Sequence, residues 1–239
     1  MELTTPRYRT DYVGETLNGY SKTTGEFATL FVKPRENLFV KPFTDTAVIL
    51  GNGMTRNYPD VQMILGANSR KVAEAYKLVY ACNRAVYDET AYDYYVVKHR
   101  VFLSNIPEEK LPQIYLPSDI FLDYKNANLL PYMSWLDSGT SAAYLACFDG
   151  HKKVFLIGFD GDCGRGYQTV YDDHFPYNNN PKTVDYDTWK DGLTFVMKLY
   201  RDVEFIRLQI DGQASPDEWR ALPNYKDVNL RQAVLLGDF

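Results

Sequence analysis

Short, continuous apolar runs punctuate the chain. Ala47-Val48-Ile49-Leu50, Leu78-Val79-Tyr80-Ala81-Cys82, Tyr94-Tyr95-Val96-Val97 and Val154-Phe155-Leu156-Ile157 show no polar alternation. Such runs predict strands covered on both faces, as in a parallel sheet. Gln113 to Leu116, between Pro112 and Pro117, and Val203 to Leu208 predict two more strands, the second being the last. Helical patterns fall between them. Pro59-Asp60 starts a helix, and Asn68-Ser69 caps another over Arg70 to Tyr76. Ser138-Gly139-Thr140-Ser141 opens an apolar segment, Ala142 to Phe148, that Asp149-Gly150 stops. Asp185 or Asp187 caps a helix through Tyr200, with Trp189, Leu193, Val196 and Met197 at helical spacing. A short Val228 to Leu236 segment closes the chain.

This alternation predicts an α/β protein. Residues 44–239 form a single Rossmann-like domain with a mainly parallel sheet flanked by helices. Residues 1–43, polar and turn-rich, form an N-terminal hairpin or arm, with Phe27 to Val32 and Asn37 to Val40 as its strands. The polar, Tyr-rich stretch 162–184 is long for a connection and is expected to be a lid-like loop.

Composition narrows the picture. With 239 residues, 45% apolar and 24% charged, the chain has the size and balance of one domain with a sizeable core. Twenty tyrosines imply many half-buried rings with wet hydroxyls. A net charge of -5 argues against nucleic acid as a partner, since no basic face is available for phosphates. No apolar run approaches the roughly 18 residues of a membrane span, and MELTTPRYRTDY lacks the apolar core of a signal peptide. Cys82, Cys147 and Cys163 are odd in number and scattered. They are expected to be reduced thiols in a cytoplasmic protein.

Candidate chemistry gathers at the carboxyl ends of the strands. Gly51-Asn52-Gly53, Cys82-Asn83-Arg84 and Gly158-Phe159-Asp160-Gly161 each follow a strand, and Ser138-Gly139-Thr140 begins a helix. Amides suit a base and ribose, and a helix N-terminus suits phosphate. Neither GxGxxG nor a P-loop lysine is present. Singly, each motif is as well explained by a turn or a helix cap.

Taken in order, these four pieces resemble the bacterial CMP-sialic-acid-dependent sialyltransferases and their relatives, over roughly residues 45–210. The resemblance implies a nucleotide-binding α/β domain with a lid after the Gly-x-Asp strand, acting on a CMP-activated sugar donor and a glycan or other hydroxyl acceptor. It implies nucleotide contacts at Gly51, Asn52, Gly53, Asn83, Ser138, Gly139, Thr140 and Asp160. It also implies a lid histidine as general base and lid tyrosines on the phosphate. His174 stands in the polar loop for the first role, with Asp172 or Asp173 to orient it. Tyr167 and Tyr171 stand for the second. The chain departs from the family pattern at Met54-Thr55, where Pro-Ser is usual, at Gly161, where a tyrosine is usual, and in lacking a basic C-terminal tail.

No cofactor is required by this reading. Asp160-Gly161-Asp162 keeps another open, because Asp-x-Asp at a strand end can hold Mg²⁺ or Mn²⁺ against a nucleotide. A Mg²⁺-dependent phosphotransferase or pyrophosphokinase, and a non-catalytic partner-binding module, are the competing classes. Of the other histidines, His99 at a strand end could face the pocket, and His151 beside Lys152-Lys153 is expected to be exposed.

Overall fold

Apolar runs become the strands of one sheet. The computed structural model describes residues 2–5, 15–20, 23–25, 27–34, 44–69, 77–124, 126–130, 135–160, 170–171, 186–209 and 215–236. In chain order the main sheet holds β4 (Thr46–Leu50), β5 (Leu78–Cys82), β6 (Tyr94–Val96), β7 (Ile114–Leu116), β8 (Asn128–Leu129), β9 (Lys153–Ile157), β10 (Glu204–Gln209) and β11 (Tyr225–Asn229). Their spatial order is β11-β10-β9-β4-β5-β6-β7-β8. Every neighbouring pair is parallel.

The main sheet feeds two cores, because successive side chains of a strand point to opposite faces. Val48 and Leu50 of β4 join the face covered by α1 (Pro59–Ser69), α2 (Ser118–Phe121) and α6 (Leu230–Leu236). Ala47 and Ile49 join the face covered by α3 (Ser138–Phe148), α4 (Tyr186–Leu199) and α5 (Asp217–Arg220). Helix α3 is buried at every position. It lies between the sheet and α4, so it carries no polar face, whereas α4 is amphipathic. Leu193, Val196 and Met197 of α4 are fully buried, each contributing about 1.5–3 kcal/mol by leaving water. The fold is therefore α/β, with a parallel sheet flanked by helices, as the strand runs require.

The N-terminal strands β1 (Glu2–Thr5), β2 (Glu15–Tyr20) and β3 (Phe27–Pro34) form a separate sheet in the order β1-β3-β2. β2 and β3 are antiparallel, with Tyr20 opposite Phe27, and β1 adds in parallel. The partner of β3 is thus Glu15–Tyr20; Asn37 to Val40 lies outside the described residues.

Four local expectations are corrected. Asn68 and Ser69 are themselves helical, within α1, and Arg70 to Tyr76 lies outside the described residues. Asp137, not Ser138, is the N-cap of α3. β10 is not the last strand, because Tyr225–Asn229 pairs along it in parallel. His151 is buried rather than exposed: its Nε2 lies 3.0 Å from the Tyr80 hydroxyl, which also donates to Asp149 at 2.6 Å. Burial, with the Asp149 carboxylate adding to it, pushes the Tyr80 phenol far above its ordinary range. This fully buried cluster gathers at the C-terminal end of α3, where Asp149 is the C-cap.

Among the described residues no helix is long and apolar enough to cross a membrane.

Candidate functional site

Strand order reverses at β4. The chain runs outward from β4 through β5 to β8, then returns as β9 along the other edge of β4. In open parallel sheets, the loops beyond the strand carboxyl ends separate at such a point and leave a crevice for ligands.

Here the two loops are laced together at their base. The amide of Gly51 donates to the Ile157 carbonyl at 2.7 Å, and that of Gly53 to the Gly158 carbonyl at 2.9 Å. Gly158 has φ +74°, a left-handed conformation that side chains resist, and a Cβ there would stand 2.8 Å from the Gly51 oxygen. A Cβ on Gly51 would stand 2.5 Å from the Gly158 oxygen. These glycines are needed for loop to meet loop. Asp160 then accepts from the Thr55 amide at 2.6 Å and, through its other oxygen, from the Thr55 hydroxyl. It thereby caps the 3-10 turn Met54–Asn57, whose own N-cap is the side-chain-free Gly53. Gly158→Ala is expected to cost about 2 kcal/mol from the left-handed backbone and the clash combined. A shift in the urea midpoint at unchanged slope would report it, and an unmoved midpoint would contradict this account of the lacing.

Asn83 has φ +48°, a left-handed backbone that asparagine tolerates better than most residues. It occurs where β5 gives way to the 3-10 turn Asn83–Tyr87. Its Oδ1 accepts from Ser138 Oγ at 2.9 Å and from the Lys98 amide at 3.3 Å. Its NH2 group is then the part suited to donate to a ligand. Asn52, on the neighbouring loop, accepts through Oδ1 from Cys82 Sγ at 3.7 Å and Arg56 Nη1 at 3.4 Å. Burial, with the Asp137 charge adding to it, pushes the Cys82 thiol up to about 12, so it stays a protonated donor rather than a nucleophile. Asn52, Asn83 and Ser138 thus come together on one rim.

The helix end offered to an anion already holds a carboxylate. Asp137 accepts from the amides of Gly139 at 2.8 Å and Thr140 at 3.1 Å, and from the Thr140 hydroxyl. Beside it, the Lys98 ammonium donates to the Leu136 carbonyl. Burial lowers the Lys98 pKa, and the charges of Asp137 and Asp119 oppose that shift.

Next to Asn52 lies a buried cation. Arg56, only 3% exposed, pairs with Asp88 and donates to the Tyr92 hydroxyl at 3.1 Å. Its guanidinium stands 5.3 Å from the ring centre of Tyr171. Tyr171 donates to Asp88 at 2.7 Å, and the neighbouring Val170 amide donates to the Asn52 carbonyl at 2.8 Å. Residues 170–171 therefore strap onto the same rim. Tyr171 is buried, and burial pushes its phenol well above the ordinary value. His99 is exposed and stacks edge-on against Phe102. Tyr167, Gly161, Asp162, Asp172, Asp173 and His174 lie outside the described residues.

Four residues that the sequence reading passed over support this rim: Arg56, Lys98, Asp137 and Arg207. Asp137 carried a signal, since aspartate directly before a run of small helical residues is a favoured N-cap. Arg207 carried another, a lone cation inside the apolar strand EFIRLQ. It is 1% exposed and donates to the Phe159 carbonyl at 3.0 Å and to Ser215 Oγ at 2.8 Å. Arg56 and Lys98 gave none, because their burial depends on segments distant in the chain.

Fold and rim together define a Rossmann-like α/β protein with an amide-lined switch point. Comparison with protein-family models, curated proteins and solved structures finds no match.

Proposed function

We propose that the protein is a glycosyltransferase using a CMP-activated sugar, similar in plan to the sialyltransferases. The observation that carries this reading is the Asn83–Ser138 hydrogen bond, which joins residues 55 apart on the rim beside Asn52. A left-handed backbone at a non-glycine residue within this group supports it further, since such strain gathers at ligand sites.

In this reading the amides of Asn52 and Asn83 and the Ser138-Gly139 segment seat the base and ribose. Asp160 and the glycines hold the two loops in register. The carboxylate of Asp137 at the end of α3 disfavours phosphate on the helix axis. Tyr171 is engaged with Asp88, so stabilisation of the leaving phosphate falls to Tyr167. His174 takes the acceptor proton as the hydroxyl attacks the anomeric carbon and the bond from that carbon to the phosphate oxygen breaks, releasing CMP. Transfer inverts the anomeric configuration.

Calorimetry with CMP, CDP, UDP and GDP tests the proposal. Saturable CMP binding, tighter than UDP or GDP, is the expected result; no CMP binding at millimolar concentration would remove the reading.

A further inference from the structure

Beside the amide rim, a cleft of about 250 Å³ opens between the 3-10 turn after β4 and the loop after Tyr87, with Val170 and Tyr171 along one side. We propose that it is the subsite for one neutral sugar ring, the acceptor's, an inference whose catalytic meaning rests on the glycosyltransferase reading above.

Size restricts the occupant first. The cleft is smaller than the roughly 300–1,000 Å³ of pockets for drug-sized ligands, so it suits a single ring and not a nucleotide. Charge restricts it next. Arg56 is already paired with Asp88, and Glu89 adds a second carboxylate to the wall. An excess of negative charge repels phosphates and carboxylated ligands. Hydrogen-bonding capacity makes the last selection. The walls mix donors and acceptors, with the Asn57 and Gln62 amides, the Thr90 hydroxyl and the Glu89 carboxylate. An ammonium only donates, whereas each sugar hydroxyl both donates and accepts and so matches a mixed wall.

Position fits the role. Arg56 and Val170, which both line the cleft, donate to the side-chain oxygen and the carbonyl of the same rim residue, Asn52. A ring in the cleft would therefore be one residue away from a nucleotide held by the amides.

The test uses the intact protein and the methyl glycosides of galactose, glucose and N-acetylglucosamine, titrated by saturation-transfer NMR. At least one is expected to bind saturably in the millimolar range, and Glu89→Gln and Thr90→Val are each expected to weaken it about tenfold. Glu89 is exposed and Thr90 half-buried, so both variants should fold. No saturable glycoside binding, equal binding by both variants, or displacement of the glycoside by methylamine would overturn the assignment. CMP titrated into the same wild-type sample reports on the nucleotide reading separately. Glycoside binding without CMP binding would leave a sugar site but remove its acceptor role.

Discussion

Replacing Arg207 by alanine is expected to lower the free energy of unfolding by about 3–5 kcal/mol, the cost of removing one member of a buried charged network. The guanidinium lies in the middle of β10, bonds the Phe159 carbonyl and Ser215, and stands 3.8 Å from Asp227. Asp227 also accepts from Ser215 and from the Tyr225 hydroxyl, at 2.6 and 2.7 Å. Without the cation, that carboxylate and the Phe159 carbonyl lose their compensating partner in a region with little water. Arg207→Met should cost less, because it fills the volume. Urea denaturation checks both, and a loss below about 1 kcal/mol for Arg207→Ala would contradict this account. Because the Phe159 carbonyl belongs to the loop that carries Asp160, CMP affinity should fall in the same variant.

The largest effect on activity is expected at His174. As the general base of the proposed reaction, its loss in His174→Ala should lower turnover by about 10²–10⁴-fold. An imidazole must be neutral to accept a proton. The wild-type rate should therefore show a rise with pH that vanishes in the variant. Removing the base leaves the nucleotide contacts intact, so CMP affinity should change little. A variant with full turnover and an unchanged pH profile would exclude His174 from the role.

Much of the fold was legible because the parallel sheet writes itself as uninterrupted apolar runs. Leu78–Cys82 forms the strand its pattern predicts, and Thr46–Leu50 and Lys153–Ile157 each extend theirs by one residue. The sheet's edges were not legible. β8 has only two residues, too few for any periodicity. β11, the edge strand Tyr225–Asn229, is half-exposed along most of its length and contains Lys226 and Asp227. That polarity belongs to an edge and hides the strand. The 3-10 turns were missed for a related reason, since a three-residue repeat over four or five residues has no apolar stripe.

The site was legible as a set of strand ends and not as a set of contacts. Asn52, Asn83 and Ser138 stood out in local motifs as candidates, and the parallel topology brings them to one rim. That Gly51 meets Gly158, that Asp160 caps the turn at Thr55, or that Asp88 receives both Arg56 and Tyr171, depends on pairings across about 30 to 105 residues. No window of sequence contains such pairs. His151 shows the same limit: beside two lysines it looked solvated, yet Tyr80 from β5 takes it into the core.

A crystal soaked with an unreactive CMP-sugar tests the common hollow most directly. The cytosine and ribose are expected against the Asn52 and Asn83 amides and the Ser138 hydroxyl, with the sugar directed toward the Arg56–Tyr171 cleft. A nucleotide bound elsewhere, with the Asn83–Ser138 pair untouched, would contradict the account.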